Sequence, residues 1–257
     1  MGIHPSAVID ESAVIAKTAS VGPYAVIGPG VTVGDGTVIL SHAVIERDTS
    51  IGRNCKIHPF SSLGADPQDM KYQGESTRLE IGDRVIVRES ATVHRGTAGG
   101  GGVTRIGDGC LIMATCHVAH DCQIAEEVIL SSFAVLAGHV ELGKGAVVSG
   151  SSAVHQFVKV GPYAFIGGMS GVVKDVPPFM IVAGVRDKML VAPNLVGLKR
   201  RGFPPEALEV ITGAHRLLRN HRPLEEVLRE IEERYPASKE AERIVEFYRS
   251  SERGVYR

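Results

Sequence analysis

Aliphatic residues recur along this chain at intervals of six, a spacing that neither an α-helix nor a simple alternating strand produces. Four positions after most of them stands a smaller residue, such as Ala7, Ala25 or Cys55. This unit predicts a short strand and a tight corner in every six residues, with the aliphatic side chain wedged inside the corner. The aliphatic series consists of Ile3, Ile9, Ile15, Val21, Ile27, Val33, Ile39, Ile45, Ile51, Ile57, Leu63, Ile81, Val87, Val93, Ile106, Ile112, Val118, Ile124, Leu130, Leu136, Leu142, Val148, Val154, Val160, Ile166 and Val172.

Three such corners close a triangular coil of about eighteen residues, and repeats of this kind are typical of a parallel β-helix. In proteins built from hexapeptide repeats the coils wind left-handed, against the usual right-handed crossover. We therefore predict an all-β left-handed parallel β-helix. Residues eighteen positions apart should stack on one face at about the 4.8 Å spacing of paired strands.

The period lapses twice. Residues 64–80 keep the phase but are polar, and residues 94–105 contain four consecutive glycines, Gly99 to Gly102. We interpret both segments as inserted loops, of which the second could close over a ligand. The second loop lacks the lysine-serine pair that follows the glycines of a Walker-type phosphate loop.

The repeats stop after Pro177 and Pro178, and from Pro205 onwards apolar residues follow a helical spacing. This pattern predicts three short amphipathic helices that cap the end of the solenoid. We accordingly divide the chain into a β-helix of residues 1–185 and a C-terminal α-helical domain of residues 186–257.

Composition excludes several classes of function. The 257 residues carry a formal net charge of −1, so no overall positive field favours nucleic acid. No apolar run is long enough to span a membrane, and the repeats begin at Ile3, which leaves no room for a signal peptide. We therefore expect a cytoplasmic protein without stable membrane insertion.

Three cysteines are spaced like a possible metal site. Cys110, Cys116 and Cys122 nevertheless each stand four residues after an aliphatic repeat position, in the small inward slot. A buried cysteine that behaves as a small hydrophobe explains this spacing better than a metal ligand does.

Four histidines in the second series of repeats carry the candidate chemistry: His117, His120, His139 and His155. His120 and His139 are nineteen positions apart, so they should be neighbours on successive coils. The same edge carries Asp121, Gly138 and Gln156, a set that could supply a base, its orienting acid, a free backbone amide and a polar contact. A neutral imidazole is a natural general base near pH 7.

Three other interpretations stay open at this point. The histidines could be a row of surface side chains, or His117 and His120 could supply two ligands of a zinc site like that of gamma-class carbonic anhydrases. The solenoid could also be a non-enzymatic scaffold, because repeat proteins often only bind partners.

The chain resembles the acyl-ACP:UDP-N-acetylglucosamine O-acyltransferases, which begin lipid A synthesis. The resemblance runs nearly end to end and includes the closing residues 253–257. It is carried by His117-Val118-Ala119-His120-Asp121-Cys122, Leu136-Ala137-Gly138-His139-Val140, Ala153-Val154-His155-Gln156-Phe157, Gln68-Asp69-Met70-Lys71-Tyr72 and Gly197-Leu198-Lys199-Arg200-Arg201-Gly202-Phe203.

This resemblance implies transfer of an (R)-3-hydroxyacyl chain from acyl carrier protein to the sugar 3-position of UDP-GlcNAc, in a homotrimer with sites between subunits. It implies that His120 is the general base, that Asp121 orients its ring, and that the Gly138 amide stabilises the oxyanion. It implies neither cofactor nor metal. The residues that it implies as substrate contacts are Gln68, Asp69, Lys71, His117, His139, His155, Gln156, Asn194, Arg200 and Arg201.

Gly168 lies in the stretch that lines the acyl groove in this family, and its missing side chain predicts a long acyl chain. The sequence departs from the family at Val196, where some members carry an acidic residue, and in residues 185–193. The 3-amino analogue of UDP-GlcNAc is therefore an alternative acceptor. The related N-acyltransferases usually have an additional N-terminal domain, whereas this chain starts with repeats.

Overall fold

The computed structural model describes residues 2–186, 188–220 and 222–257. Its main body is the predicted left-handed parallel β-helix, a triangular prism in which each coil contributes one strand to each of three faces. The aliphatic repeat positions fill the interior, as predicted; from Val21 onwards they are at most 5% exposed. The fold class is therefore confirmed.

Most strands are two residues long, because each edge of the triangle lies between two corners. In chain order they are β1 (Val8–Ile9), β2 (Val14–Ile15), β3 (Ser20–Val21), β4 (Val26–Ile27), β5 (Thr32–Val33), β6 (Val38–Ile39), β7 (Val44–Ile45), β8 (Thr49–Ile51), β9 (Lys56–Ile57), β10 (Ser62–Ala65), β11 (Arg78–Ile81), β12 (Ile86–Val87), β13 (Thr92–His94), β14 (Val103–Ile106), β15 (Leu111–Ile112), β16 (His117–Val118), β17 (Gln123–Ile124), β18 (Ile129–Leu130), β19 (Val135–Leu136), β20 (Glu141–Leu142), β21 (Val147–Val148), β22 (Ala153–Val154), β23 (Lys159–Val160), β24 (Phe165–Ile166), β25 (Gly171–Val172), β26 (Met180–Val185) and β27 (Lys188–Pro193).

Every third strand belongs to the same face. The first face runs from β1 through β16, β19 and β22 to β25, the second from β2 to β23, and the third from β3 through β24 to β26. Residues eighteen positions apart pair in parallel, as Val135 does with His117 and Ala153. Successive corners place a residue in the left-handed backbone region about every six positions, among them Asp121 at φ 61° and His139 at φ 61°.

Both interruptions of the period are inserts, and both are shorter than predicted. Residues 62–65 belong to β10 and residues 78–81 to β11, so the first insert comprises residues 66–77. The second insert comprises residues 95–102, between β13 and β14, and contains a short 3-10 helix over Ala98–Gly100.

All four cysteines are buried in the inward slots, as predicted. Burial raises the pKa of Cys110 to about 12 and that of Cys116 to about 11. These thiols therefore stay protonated near neutral pH and pack as small hydrophobes.

In the part of the C-terminal region that the structure describes, there are four helices rather than the predicted three: α1 (Leu195–Arg200), α2 (Pro205–Leu218), α3 (Leu224–Arg234) and α4 (Lys239–Ser250). α2, α3 and α4 pack around their own apolar core, and α2 also contacts β27. Residues 188–193 form β27, which pairs antiparallel with β26, so the first helix begins at Leu195. The domain division between residues 185 and 186 stays a prediction. Among the described residues, no helix is both long and apolar enough to cross a bilayer.

Candidate functional site

The corner between the first and second faces brings the predicted chemistry together. Two columns of residues run along it, one position per coil. His120, Gly138 and Gln156 form the first corner column, and Asp121, His139 and Phe157 form the second corner column. The His139 N–H donates to the His120 carbonyl at 3.0 Å, so the backbone fixes the stacking of these coils.

His120 and Asp121 form a close side-chain pair. The Nδ1 atom of His120 lies 2.8 Å from Oδ2 of Asp121. A carboxylate only accepts hydrogen bonds, so this contact places the proton on Nδ1 and leaves the Nε2 lone pair free. The His120 side chain is 15% exposed and that of Asp121 is fully buried. This geometry gives a base that faces the surface and an acid that holds it from behind.

Gly138 lies directly against the His120 ring. A Cβ atom at position 138 would stand 2.6 Å from Cε1 and 2.8 Å from Nε2 of His120, closer than real contacts allow. The Gly138 N–H makes no hydrogen bond with any described residue. Glycine at this position therefore makes room for the ring and presents an unused backbone donor beside Nε2.

His139 completes the cluster on the next coil. Its ring meets the His120 ring edge-on, with centroids 5.1 Å apart, and stacks on Phe157 at 4.3 Å. Burial lowers the pKa of His139, whereas Asp121 and Asp69 act in the opposite direction. The imidazole is therefore neutral over most of the physiological range.

The zinc interpretation pairs His117 with His120, but the structure groups His120, Asp121 and His139 instead, with potential ligand atoms within 4.8 Å of one another. Asp121 already accepts hydrogen bonds from His120 and, through both of its oxygens, from Thr97. A site with its carboxylate so occupied fits a base and its orienting acid better than an open metal site.

His117 lies one coil before His139 and has a different neighbour. Its Nδ1 is 2.8 Å from the Thr92 hydroxyl, and its ring meets that of His94 edge-on at 5.0 Å. Burial lowers the pKa of both rings, that of His94 to about 4, and the proximity of His117 contributes to the His94 shift. His94 is not among the residues predicted from the sequence, although its position directly after the repeat residue Val93 could have revealed it.

The first insert carries Gln68, Asp69 and Lys71. Gln68 and Lys71 are exposed, and the Lys71 N–H donates to Asp69 Oδ1 at 2.9 Å. The insert is anchored by Arg95, which is 1% exposed and donates to the Gly64 carbonyl, to Asp66 and, at 3.0 Å, to the Tyr72 hydroxyl. Asp69 raises the pKa of His139, against the effect of burial, so this carboxylate lies on the side of the prism that carries His139.

His155 and Gln156 lie exposed further along the same edge. The Nδ1 atom of His155 is 3.2 Å from Nη2 of Arg253, a residue of the C-terminal tail. Arg253 and the second corner column also line an open cleft of about 740 Å³. The tail is held in place by the Tyr256 hydroxyl, which accepts the Val173 N–H at 3.0 Å.

Four of the predicted residues lie away from this corner. Asn194 is buried and caps α1: its side chain accepts the Gly197 N–H at 3.2 Å and donates to the Tyr163 carbonyl at 3.0 Å. Arg201 contacts Glu127 at 3.0 Å and lies over the Tyr163 ring, at the corner between the second and third faces.

Arg200 is exposed at the end of α1. Gly168 stands at the third corner, between the third and first faces, beside the 79% exposed Met169. Within one chain, the structure does not bring these four residues to His120.

Comparisons with known proteins agree with the fold and identify the family. The profile of domain 2 of UDP-N-acetylglucosamine O-acyltransferase matches residues 175–256, and the profile of bacterial transferase hexapeptide repeats matches residues 12–47, 31–65 and 104–138.

Several solved structures are similar to this chain over its whole length. The UDP-N-acetylglucosamine acyltransferase of Francisella novicida is 40% identical, with 99% of this chain and 94% of that one covered and a TM-score of 0.95. The UDP-N-acetylglucosamine O-acyltransferase of Moraxella catarrhalis is 37% identical over all of both chains, with a TM-score of 0.96. The Arabidopsis UDP-N-acetylglucosamine acyltransferase is 33% identical over 99% of this chain and 100% of that one, with a TM-score of 0.87. Since these relatives match this chain over nearly its whole length and have the same fold, this protein belongs to the UDP-N-acetylglucosamine O-acyltransferase family.

Proposed function

We propose that this protein transfers an (R)-3-hydroxyacyl group from acyl carrier protein to the 3-hydroxyl of UDP-GlcNAc, the first step of lipid A biosynthesis. Family membership supports the reaction class. The single observation that carries the mechanism is the 2.8 Å contact between His120 Nδ1 and Asp121, which leaves Nε2 free beside Gly138.

His120 acts as the general base in this mechanism. As the sugar oxygen attacks the thioester carbonyl carbon, Nε2 takes the hydroxyl proton and the ring becomes an imidazolium, which the buried Asp121 carboxylate stabilises. The tetrahedral intermediate then collapses, the carbon–sulfur bond breaks, and the imidazolium returns its proton to the leaving thiolate. No acyl-enzyme is needed, because one base serves both halves of the reaction.

The Gly138 N–H supplies the oxyanion donor. It has no acceptor among the described residues and lies next to the His120 ring. A preorganised donor of this kind is worth roughly 3 to 4 kcal/mol in the transition state. The base and the oxyanion donor therefore come from neighbouring coils of one rigid prism.

The remaining polar residues are proposed to bind substrate. Gln68, Asp69, Lys71, His117, His139, His155 and Gln156 would contact the sugar, the acyl hydroxyl or the nucleotide, whereas Asn194, Arg200 and Arg201 would act near the nucleotide. Arg200 and Arg201 suit a diphosphate by their charge and shape. Since Arg200, Arg201 and Gly168 lie at other corners from His120, a site formed between subunits of a homotrimer would let one substrate reach both sets. The reaction would take place in the cytoplasm.

The exposed backbone at Gly168 supports a long acyl chain, because no side chain shortens the groove there. Assays with carrier proteins that bear acyl chains of increasing length test this point. A preference for the shortest donors would contradict it.

The decisive experiment measures acyl transfer from 3-hydroxyacyl carrier protein to UDP-GlcNAc and, separately, to its 3-amino analogue. The His120→Asn variant should lose roughly 10²- to 10⁴-fold in kcat. The same substitution at the exposed His42, outside the site, is the matched control and should leave kcat unchanged. An inactive wild-type protein would refute the function, and consumption of the amino sugar alone would correct the acceptor.

A further inference from the structure

The second insert, residues 95–102, encloses the Asp121 carboxylate. Asp121 is 3% exposed and its side chain is fully buried, although it stands at a corner of the prism. The insert therefore does more than connect β13 to β14, because it forms the cover over the acid of the proposed catalytic pair.

Thr97 is the residue of the insert that contacts both oxygens of the Asp121 carboxylate. Its backbone N–H donates to Asp121 Oδ1 at 2.8 Å, and its hydroxyl donates to Oδ2 at 2.7 Å. The same hydroxyl oxygen accepts the Gly100 N–H at 3.1 Å, which directs its hydrogen towards Asp121. A continuous chain of hydrogen bonds thus runs from Gly100 through Thr97 and Asp121 to His120.

Gly100 lies against the other side of the carboxylate. A Cβ atom at position 100 would stand 2.0 Å from Asp121 Cγ, which no side-chain contact permits. At the neighbouring Gly99, a Cβ atom would meet nothing within 4 Å. The close approach of one particular glycine shows that the insert is fitted to the carboxylate.

These contacts restrict how Asp121 can turn. A carboxylate held by one hydrogen bond can rotate about its last side-chain bond, whereas one held at both oxygens has a single orientation. The backbone of Asp121 is fixed as well, since its N–H donates to the buried Thr104 hydroxyl at 2.8 Å. The orientation that results directs Oδ2 at His120 Nδ1.

We propose that Thr97 is a positioning residue that acts on the base through Asp121, and that Gly100 is required to let the insert close on the carboxylate. The inference rests on the proposed acyl transfer, for which His120 must keep one tautomer and one orientation. Thr97 itself does not touch His120.

The test compares kcat and KM for Thr97→Val and Thr97→Ser, each alone and combined with Asp121→Ala. Thr97→Val should lower kcat roughly tenfold, as expected for loss of a hydrogen bond to a charged group, with KM within about twofold. Thr97→Ser, which keeps the hydroxyl, should restore most of the rate. In the Asp121→Ala background, Thr97→Val should change kcat by less than about twofold, because its effect passes through the missing carboxylate.

Gly100→Ala and Gly99→Ala form a second, independent pair that needs no change at Thr97. Gly100→Ala should lower kcat at least as much as Thr97→Val, whereas Gly99→Ala should match the wild type. The inference is overturned if Thr97→Val turns over at the wild-type rate, if its loss is the same without Asp121, or if the two glycine variants behave alike. A wild-type protein without acyl-transfer activity would instead remove the proposed function.

Discussion

Replacing Gly138 by alanine should separate the chemistry of the site from the stability of the fold. The added Cβ would lie 2.6 Å from His120 Cε1, whereas ordinary contacts begin near 3.4 Å, so the ring must move by roughly 0.8 Å. A misplacement of about 1 Å can cost on the order of 10² in rate. We therefore expect kcat to fall about 100-fold, equivalent to about 2.7 kcal/mol of transition-state stabilisation.

The backbone should tolerate this change. Gly138 lies outside the left-handed region, and glycine to alanine at a compatible position usually stabilises by about 0.4 to 1 kcal/mol through the unfolded chain. The melting temperature should therefore not fall. Gly171→Ala is the matched control, because its Cβ would meet only the Val185 side chain at an ordinary 3.5 Å.

Initial rates of acyl transfer and thermal melting of both variants check the reasoning. A Gly138→Ala protein with kcat within threefold of the wild type would show that the His120 ring can accommodate the added Cβ atom, contrary to the distances in the structure. A parallel loss of kcat and melting temperature would mean that Gly138 supports the fold instead.

Three further predictions follow from the contacts of individual residues. Asn194→Ala removes the cap of α1 and the bond to the Tyr163 carbonyl, so the free energy of unfolding should fall by about 1 to 2 kcal/mol in denaturant titrations. An unchanged free energy of unfolding would contradict the capping role. Arg201→Ala breaks a partly exposed ion pair with Glu127, so the free energy of unfolding should change by less than about 1 kcal/mol, while KM for the nucleotide sugar should rise at least tenfold. An unchanged KM would exclude the diphosphate role. The pKa of His94 lies near 4 in the native protein and near 6.5 in the unfolded chain, so between these values the unfolded chain binds a proton that the native protein does not. The free energy of unfolding should therefore be unaffected by this residue above pH 6.5 and should fall by roughly 3 kcal/mol as the pH falls towards 4. His94→Gln should flatten that slope in unfolding measured at several pH values, and equal slopes would contradict the assignment.

The β-helix could be predicted from the sequence because every coil needs the same kind of residue at the same buried positions. Each of Ile27, Ile45 and Leu63 must fill the same slot under the same corner, so one period predicts dozens of buried positions. The same spacing of eighteen residues places Gly138 next to His120 on the following coil and brings His139 beside Asp121.

The features that the sequence did not reveal lie where the period fails. Thr97 reaches Asp121 through an insert whose conformation no repeat specifies, and Arg95 anchors the other insert in the same way. The helix α1 was missed because it is only six residues long and contains Gly197. The buried role of Asn194 depends on Tyr163, a contact that joins two different parts of the chain.

The reversal of direction at the end of the prism has a consequence for self-association. Stacked parallel strands at a spacing of about 4.8 Å resemble the arrangement of an amyloid fibril, in which each exposed edge recruits another layer. Here β27 runs antiparallel to β26 and α2 packs against it, so that edge offers no template in the register of the coils. The antiparallel pair of β26 and β27 therefore ends the stack of coils and prevents further layers from adding to this edge.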